Sequence, residues 1–372
     1  MNNKILVLSN SWGGLHSFRK EVFQSFRDKG DEVYISCPLA GDIEKAKWFE
    51  NIGCKCIDTQ FNRQGTNPIA DIKLMFTYRK LIKEIKPLAV LSYTIKPNLY
   101  GGMACALCKV PQIANITGLG AAVEYPGLMQ KFTIMLYKLG LRKTHMTFFQ
   151  NDSNMQFCKN HGMVNENVAL IPGSGVNLQY HEQKPFPAET EPVRFVFCSR
   201  IRFEKGIEEY IAAAQHCFDK GYNTEFIVLG ACEGDYENRL NELTQKGVLK
   251  YVGSQSDVRP FFSLGQCTIH PTFYPEGMSN VLLESCATGR AIITTNRPGC
   301  KEIVDDGVNG FVVNQQDCND LISKVETFLA LPYEKRKAMG DAARKKVEKE
   351  FDRQIVNDAY LSEIEKIKEG VL

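Results

Sequence analysis

The sequence predicts an α/β fold of two Rossmann-like, doubly wound parallel-sheet domains facing a cleft. Three observations predict it. Short apolar runs alternate with longer amphipathic stretches, the pattern of parallel strands covered by helices on both faces. The rhythm breaks over 176–192, where Pro185, Pro187 and Pro192 stand among polar residues, and then starts again. The chain has 372 residues, enough for two domains of about 150 residues each.

The elements follow in order. Residues 4–9 read as a buried strand and 15–29 as an amphipathic helix. Strand 32–37, helix 42–51, strand 54–59, helix 68–85, strand 88–93, helix 98–107 and strand 112–116 continue the alternation. Helix 128–141, strand 147–151 and helix 153–161 complete the first set. The second set has strands at 193–198, 225–229, 250–252, 267–270 and 291–295, with helices at 206–219, 235–245, 280–288 and 318–329. The tail is charged and helical. The expected division is a first domain over 1–175, a linker over 176–192, a second domain over 193–352 and a C-terminal helix over 353–372 that can pack back on the first domain.

Composition narrows the class. Hydrophobic residues make up 44% and charged residues 24%, which excludes bulk disorder. The longest uncharged run, 260–275, has 16 residues and carries Gly, Pro and His. A bilayer span needs ~20 apolar residues, so no membrane-spanning helix is expected. The N-terminal apolar run is too short for a signal peptide, and a cytoplasmic protein is expected. Thirteen cysteines then read as free thiols. Cys105 and Cys108 have metal or redox spacing, but no second pair answers them, and packing is the plainer reading. Cys54 and Cys56 alternate as in a strand.

The net charge of +2 hides an asymmetry. Residues 1–175 carry 21 Lys+Arg against 13 Asp+Glu, and residues 176–372 carry 24 against 30. Residues 71–145 alone hold 11 basic and 3 acidic residues. Met129, Phe132, Met135, Leu136 and Leu139 recur there at helical spacing beside Lys131, Lys138, Arg142 and Lys143. Ile72, Leu74, Phe76, Leu81 and Ile82 do likewise beside Lys73, Arg79, Lys80, Lys83 and Lys86. One reading is two amphipathic helices with solvated basic faces. The other is a surface that rests on anionic lipid. No nucleic-acid-binding module accompanies the charge, and no nucleic-acid partner is expected.

Two nucleotide-type sheets place a ligand at the carboxyl ends of the strands. The dinucleotide fingerprint is absent: Ser11-Trp12-Gly13-Gly14-Leu15 follows the first strand, and Gly118-Leu119-Gly120 meets Val123 where the third glycine should stand. No P-loop lysine pattern exists. Gly13 and Gly14 serve either a tight strand-to-helix turn or a close backbone approach to a ligand. In the second half, Arg200 and Lys205 follow the first strand, and Gly206 opens a helix. Two fixed cations there suit a diphosphate; the plain alternative is a surface ion pair with Glu204. After strand 267–270 comes Glu276-Gly277-Met278-Ser279-Asn280, and Glu284 follows inside the helix. Ser279 or Asn280 is a good N-cap, and the helix start favours an anion. The two glutamates stand eight helical residues apart, ~12 Å, too far for a hydrolytic carboxyl pair at ~5–9.5 Å. That gap suits two hydroxyl-rich groups joined by a diphosphate.

At these residues the chain resembles the family-4 retaining glycosyltransferases of the GT-B fold. The resemblance spans essentially the whole chain and rests on Gly13-Gly14, Arg200, Lys205-Gly206 and the E-x7-E pair Glu276 and Glu284. Residues 93–101 and 116–120 are similar to bacterial transferases that extend sugars on undecaprenyl diphosphate for capsule, O-antigen or N-glycan precursors. Thr117 and Gly118 stand where many members carry a cleft histidine, as in that lipid-linked subgroup. His16, beside the glycine pair, is the near candidate for a ligand contact.

The resemblance implies transfer of a hexose or N-acetylhexosamine from a UDP-sugar to a polyprenyl-diphosphate-linked saccharide, with the anomeric configuration kept. It implies that Glu276, Arg200 and Lys205 carry the catalysis. It implies donor contacts from Gly13, Gly14, Val252, Gly253, Gly277, Met278, Ser279, Asn280 and Glu284, and acceptor contacts from His16, Thr117 and Gly118. No metal or cofactor is expected, since fixed cations do the work of Mg²⁺ and no Asp-x-Asp motif stands in a matching place. A lipid-linked acceptor turns the reading of residues 71–145 toward an anionic membrane, with the protein held peripherally on its inner face. The rival functions are a nucleotide-sugar epimerase of the same architecture, a two-lobed binding protein and an inactive scaffold.

Overall fold

The computed structural model describes residues 3–39, 42–63, 65, 67–124 and 126–370. They form two compact units. One runs to Ser174 and resumes at Gln354; the other is Gly175–Arg353.

In the first unit the strands are β1 (Lys4–Leu8), β2 (Glu32–Cys37), β3 (Lys55–Asp58), β4 (Ala89–Tyr93), β5 (Gln112–Ile116), β6 (Met146–Phe149) and β7 (Val168–Leu170). The helices are α1 (Trp12–Asp28), α2 (Ile43–Asn51), α3 (Pro68–Ile85), α4 (Ile95–Cys108), α5 (Leu128–Leu141) and α6 (Asp152–Asn160). The sheet is parallel, in the order β3-β2-β1-β4-β5-β6-β7. β4 and β5 are buried at every position, so neither shows the in-and-out alternation of a half-exposed strand, and their polar Ser92 and Gln112 bond to each other inside the sheet. α3 starts on a proline at N1 with Asn67 as its cap, accepting from the Ile69 amide at 3.0 Å. α4 and α5 touch backbone to backbone. A Cβ on Gly102 would collide with the Gly140 carbonyl, and one on Gly140 with Leu99.

The second unit holds β8 (Val193–Cys198), β9 (Thr224–Leu229), β10 (Lys250–Tyr251), β11 (Cys267–His270), β12 (Ala291–Thr295) and β13 (Gly310–Val313). Its helices are α7 (Ile207–Asp219), α8 (Tyr236–Gln245), α9 (Arg259–Leu264), α10 (Asn280–Ala287), α11 (Cys318–Ala330) and α12 (Tyr333–Glu350). This sheet is also parallel, in the order β10-β9-β8-β11-β12-β13. The last helix, α13 (Arg353–Lys368), returns to the first unit. Its Val356, Tyr360 and Ile364 lie in that unit's core with Phe23, Tyr93 and Phe148, and the Asn115 amide donates to the Tyr360 hydroxyl at 2.8 Å.

Three features differ from the sequence expectation. β7 and β13 were not expected, because runs of three and four residues carry too little pattern to stand out. The stretch 176–192 is not a free connection but part of the second unit. Val176 sits in an apolar cluster with Leu282, Leu283, Val347 and Phe351, and the fully buried Arg290 donates to the carbonyls of Lys184 and Pro185. On α5 the apolar stripe Leu128, Met129, Phe132, Met135 and Leu139 faces outward, while Ile134, Tyr137 and Leu141 face the core. All thirteen cysteines are free thiols. Among the described residues no helix is long and apolar enough to cross a membrane.

Candidate active site

In the second sheet the chain runs outward one way through β8, β9 and β10 and the other way through β11, β12 and β13. The order therefore reverses between β8 and β11, and open α/β sheets bind ligands at the carboxyl ends beside such a switch point. The loops that leave β8 and β11 carry Lys205 and Glu276.

A one-turn 3₁₀ helix, Phe203–Lys205, follows β8. It is bound to the loop after β11: the amides of Phe273 and Tyr274 each donate to the Glu204 carbonyl at 3.0 Å. Gly206 closes the turn at φ 78°, and a Cβ there would strike the Pro271 carbonyl, so glycine is required on both counts. The Lys205 ammonium is thereby pressed against Glu276 Oε1 and lies 4.7 Å from the centre of the Tyr274 ring. Burial would raise the Glu276 carboxyl, but His270 and Lys205 outweigh it and hold the group down at about 2, so it is ionised at neutral pH. His270 Nε2 stands 3.8 Å from that same oxygen.

Gly277 and Met278 lead into α10. The Ser279 amide donates to the Gly299 carbonyl at 2.8 Å, and the Ser279 hydroxyl caps no amide of the helix. The start of α10 thus offers its N–H groups to an anion, as the sequence spacing predicts. Met278 is buried in the apolar cluster under the helix, so its backbone, not its side chain, faces the site's chemistry. Glu284 lies about one turn into α10. It keeps a partial opening to solvent but is walled by protein on nearly all sides, and burial lifts its carboxyl to about 7 against the opposing pull of Arg353. Among the described residues no side chain or amide donates a hydrogen bond to it. A near-buried carboxylate without a donor is costly, and a ligand hydroxyl would supply one.

Val252 and Gly253 extend from β10. The Gly253 carbonyl accepts from the Gly230 amide at 2.9 Å, and Gly230 itself lies so close to the Ser199 carbonyl that no side chain fits. This places Val252 and Gly253 on the same carboxyl edge as Ser199. Arg200 stands apart from the ion pair. It is largely exposed and binds Glu233 at 2.8 Å, while Glu204, its expected plain partner, is held by Arg202 at 2.8 Å through two nitrogens.

The first unit carries the other candidate residues, all on the carboxyl edge of its own sheet. Gly13 and Gly14 fall inside the first turn of α1 rather than before it. The Ser11 hydroxyl accepts from the Gly14 amide at 3.0 Å, and Asp42 accepts from the Gly13 amide at 3.3 Å. His16 packs edge-on against Trp48 at 5.0 Å, and burial with Lys20 and Lys45 lowers its pKa. Thr117 and Gly118 leave β5, with Thr117 exposed and Gly118 at φ 145°. Residues 93–101 are largely structural. Asn98 joins Ser92 and the Asn115 carbonyl, and Lys96 is taken by Asp71 at 2.5 Å.

Sequence reasoning missed His270 and Tyr274. Both lie within six residues of Glu276, and a histidine closing a fully buried strand was the available signal. Among the described residues no three His, Cys, Asp or Glu side chains are grouped to hold a metal.

Residues 4–151 match the family described as Glycosyl transferase 4-like, and residues 180–346 match Glycosyl transferases group 1. The chain is 25% identical to the N,N'-diacetylbacillosaminyl-diphospho-undecaprenol alpha-1,3-N-acetylgalactosaminyltransferase of Campylobacter jejuni, over 99% of this chain and 100% of that one. It is 27% identical, over 95% of both chains, to the capsular polysaccharide biosynthesis glycosyltransferase CapM of Staphylococcus aureus. The structure of Anabaena Alr3699/HepE in complex with UDP and glucose matches with a TM-score of 0.79 at 17% identity, covering 98% of this chain and 100% of that one.

Proposed function

The chain belongs to the GT-B glycosyltransferases that join these two families, and from that premise we propose that it moves a hexose or N-acetylhexosamine from a UDP-sugar to a saccharide carried on polyprenyl diphosphate, keeping the anomeric configuration. The observation that carries this reading is the pairing of two differently tuned glutamates at one helix start. Glu276 is ionised and set beside a lysine; Glu284 is walled in and lacks a donor. The first suits sugar hydroxyls, the second the ribose, and the start of α10 between them suits the diphosphate.

The bond from the anomeric carbon to the diphosphate oxygen breaks with its electron pair going to UDP. The acceptor hydroxyl forms the new bond, and its proton passes to the oxygen that UDP is freeing, which grows more basic as it leaves. Lys205, Arg200 and the free amides that open α10 stabilise the charge growing on the diphosphate, so no metal ion is needed. Glu276 holds the donor sugar, and Val252 and Gly253 lie beside the base. Gly13, Gly14, His16, Thr117 and Gly118 are the first unit's candidates for donor and acceptor contacts. The lipid-linked acceptor is supported by the C. jejuni relative, whose name specifies an undecaprenyl diphosphate, and by the outward apolar face of α5, which suits a membrane surface.

The test is transfer from a panel of UDP-sugars to a polyprenyl-diphosphate saccharide in chelator, with the product anomer read by NMR. Turnover in chelator with retained configuration is expected. No turnover with any UDP-sugar, together with no thermal shift on adding UDP, overturns the reading.

A further inference from the structure

Arg19 stands on α1 one turn beyond His16 and is only 3% exposed. Arginines this deep are normally paired with an acid or fully hydrogen-bonded. Arg290, just as buried, donates to six carbonyls. Arg19 donates to one, that of Phe18 at 2.8 Å. The Tyr360 hydroxyl lies beside the guanidinium, Nε has no partner, and among the described residues no carboxylate forms an ion pair with it. The first unit therefore holds a buried positive charge that its own residues do not balance.

That charge lies under the carboxyl edge of the first sheet. Its guanidinium carbon is 5.5 Å from the centre of the Tyr93 ring, and Tyr93 ends β4, between β1 and β5. The chain passes into α4 through Thr94 at φ 71° and ψ 166°, a region essentially reserved for glycine. The Thr94 hydroxyl is sealed from solvent, caps no amide of α4 and has no partner. The Asn98 amide donates to the Thr94 carbonyl at 3.0 Å and Pro97 has no amide hydrogen, while the amides of Ile95 and Lys96 carry no hydrogen bond among the described residues. A helix of 14 residues thus begins with its positive end open. Lys96 adds no net charge, because Asp71 takes its ammonium at 2.5 Å, and the Tyr100 hydroxyl donates to the other Asp71 oxygen at 2.9 Å. The turn that carries Thr117 and Gly118 lies against this helix start: a Cβ on Gly120 would come 2.9 Å from Ile95 Cδ1.

We propose that the start of α4 seats the acceptor's diphosphate, with the Ile95 and Lys96 amides and the Thr94 hydroxyl as its donors and the buried charge of Arg19 as its counter-charge. Arg19 is a positioning residue. It acts on the anion through its field, which the low-dielectric interior transmits and salt screens little. No bond forms or breaks at the diphosphate, which stays on the lipid throughout the transfer. The site rests on the transferase reading and adds to it the place where the lipid-linked substrate is held.

The test is calorimetry of inorganic pyrophosphate and of geranyl diphosphate titrated into protein already saturated with UDP. Wild type is expected to bind both and to ignore geraniol. Arg19→Met and Arg19→Gln are expected to weaken both by roughly tenfold, in high salt as in low, and Arg19→Lys to stay close to wild type. Thr94→Val is expected to weaken them by about three- to tenfold for the lost hydroxyl. A merely structural arginine would lower the thermal midpoint of ligand-free Arg19→Met and leave pyrophosphate affinity alone; here the midpoint stays at or above wild type, since an unbalanced buried charge gives way to an apolar side chain. Equal pyrophosphate affinity in wild type and Arg19→Met overturns the site, and so does pyrophosphate binding that UDP abolishes. Failure of the wild type to bind UDP at all overturns the transferase reading instead.

Discussion

Lys205 and Glu276, 71 positions apart in the chain, meet side chain to side chain where the strand order of the second sheet reverses. The contact is set by backbone, because the turn after β8 hangs from the loop after β11 through the Glu204 carbonyl. The pair therefore reports on donor chemistry rather than on folding.

Glu276→Ala is expected to lower kcat by roughly 10²–10³, the loss typical of one preorganised transition-state contact, while UDP affinity holds or improves. The substitution removes the anion that competes with the diphosphate for Lys205. Lys205→Met is expected to lower both. Titration calorimetry beside initial rates separates the two outcomes, and a matched loss of UDP affinity in both variants would refute the assignment.

Glu284 predicts a pH effect of opposite sign on stability and on binding. Burial raises its carboxyl from the ordinary 4.5 to about 7, so the folded ligand-free protein holds a proton there that the unfolded chain has lost. Its contribution to stability is present at low pH and is lost as pH rises from 4.5 through 7. UDP binding, which gives the ionised group hydroxyl donors, strengthens over the same rise. Glu284→Gln is expected to raise the ligand-free thermal midpoint by a few degrees at pH 8, to weaken UDP, and to flatten the pH dependence of its affinity between pH 6 and 8. A pH-independent affinity in the wild type would count against the ribose role.

Both sheets and most of their helices were legible, because buried parallel strands such as β1, with Ile5, Leu6, Val7 and Leu8, write unbroken apolar runs. The glutamates and Lys205 were legible too, since their spacing is set by α10 and by the turn at Gly206. What a histidine and a lysine share with Glu276 was not, because it depends on which strands become neighbours: β8 and β11 are adjacent in the sheet and far apart in the chain. The membership of 176–192 was hidden for a similar reason. Prolines and polar residues look like a linker until Arg290, a long-range partner, collects their carbonyls. On α5 the sequence gives two faces with apolar residues, and only the Gly102–Gly140 contact with α4 decides which one is inward.

The return of α13 to the first unit predicts a large stability effect far from the site. Tyr360 is fully buried, meets Phe148 at 5.1 Å and accepts from Asn115. Tyr360→Ala is expected to cost about 3–5 kcal/mol as a cavity, and Tyr360→Phe about 1 kcal/mol for the Asn115 bond. Denaturant unfolding of the full chain measures both, and a Tyr360→Ala loss no larger than that of Tyr360→Phe would show that the helix is not part of the core.

The outward face of α5 predicts membrane binding of a particular kind. Leu128 is 86% exposed, and Met129, Phe132, Met135 and Leu139 line up with it beside Lys131, Lys138 and Arg142. α3, on the other side of α4, exposes Ile69, Ile72 and Phe76 beside Lys73 and Lys80. Water is a poor neighbour for such a stripe, and charge of one sign around it selects an anionic surface. Both contributions must then appear in flotation with anionic vesicles. Lys131→Gln with Lys138→Gln removes about 1 kcal/mol per charge, roughly thirtyfold in partitioning, and its effect vanishes in high salt. Phe132→Asp with Met135→Asp abolishes the salt-resistant fraction, because those side chains no longer enter the acyl boundary. Turnover of a water-soluble short-chain acceptor stays unchanged in both pairs, since none of the four side chains is a candidate site residue. Binding to neutral vesicles as tight as to anionic ones would leave the lysines without a role, and binding that survives all four substitutions would place the membrane contact elsewhere on the first unit.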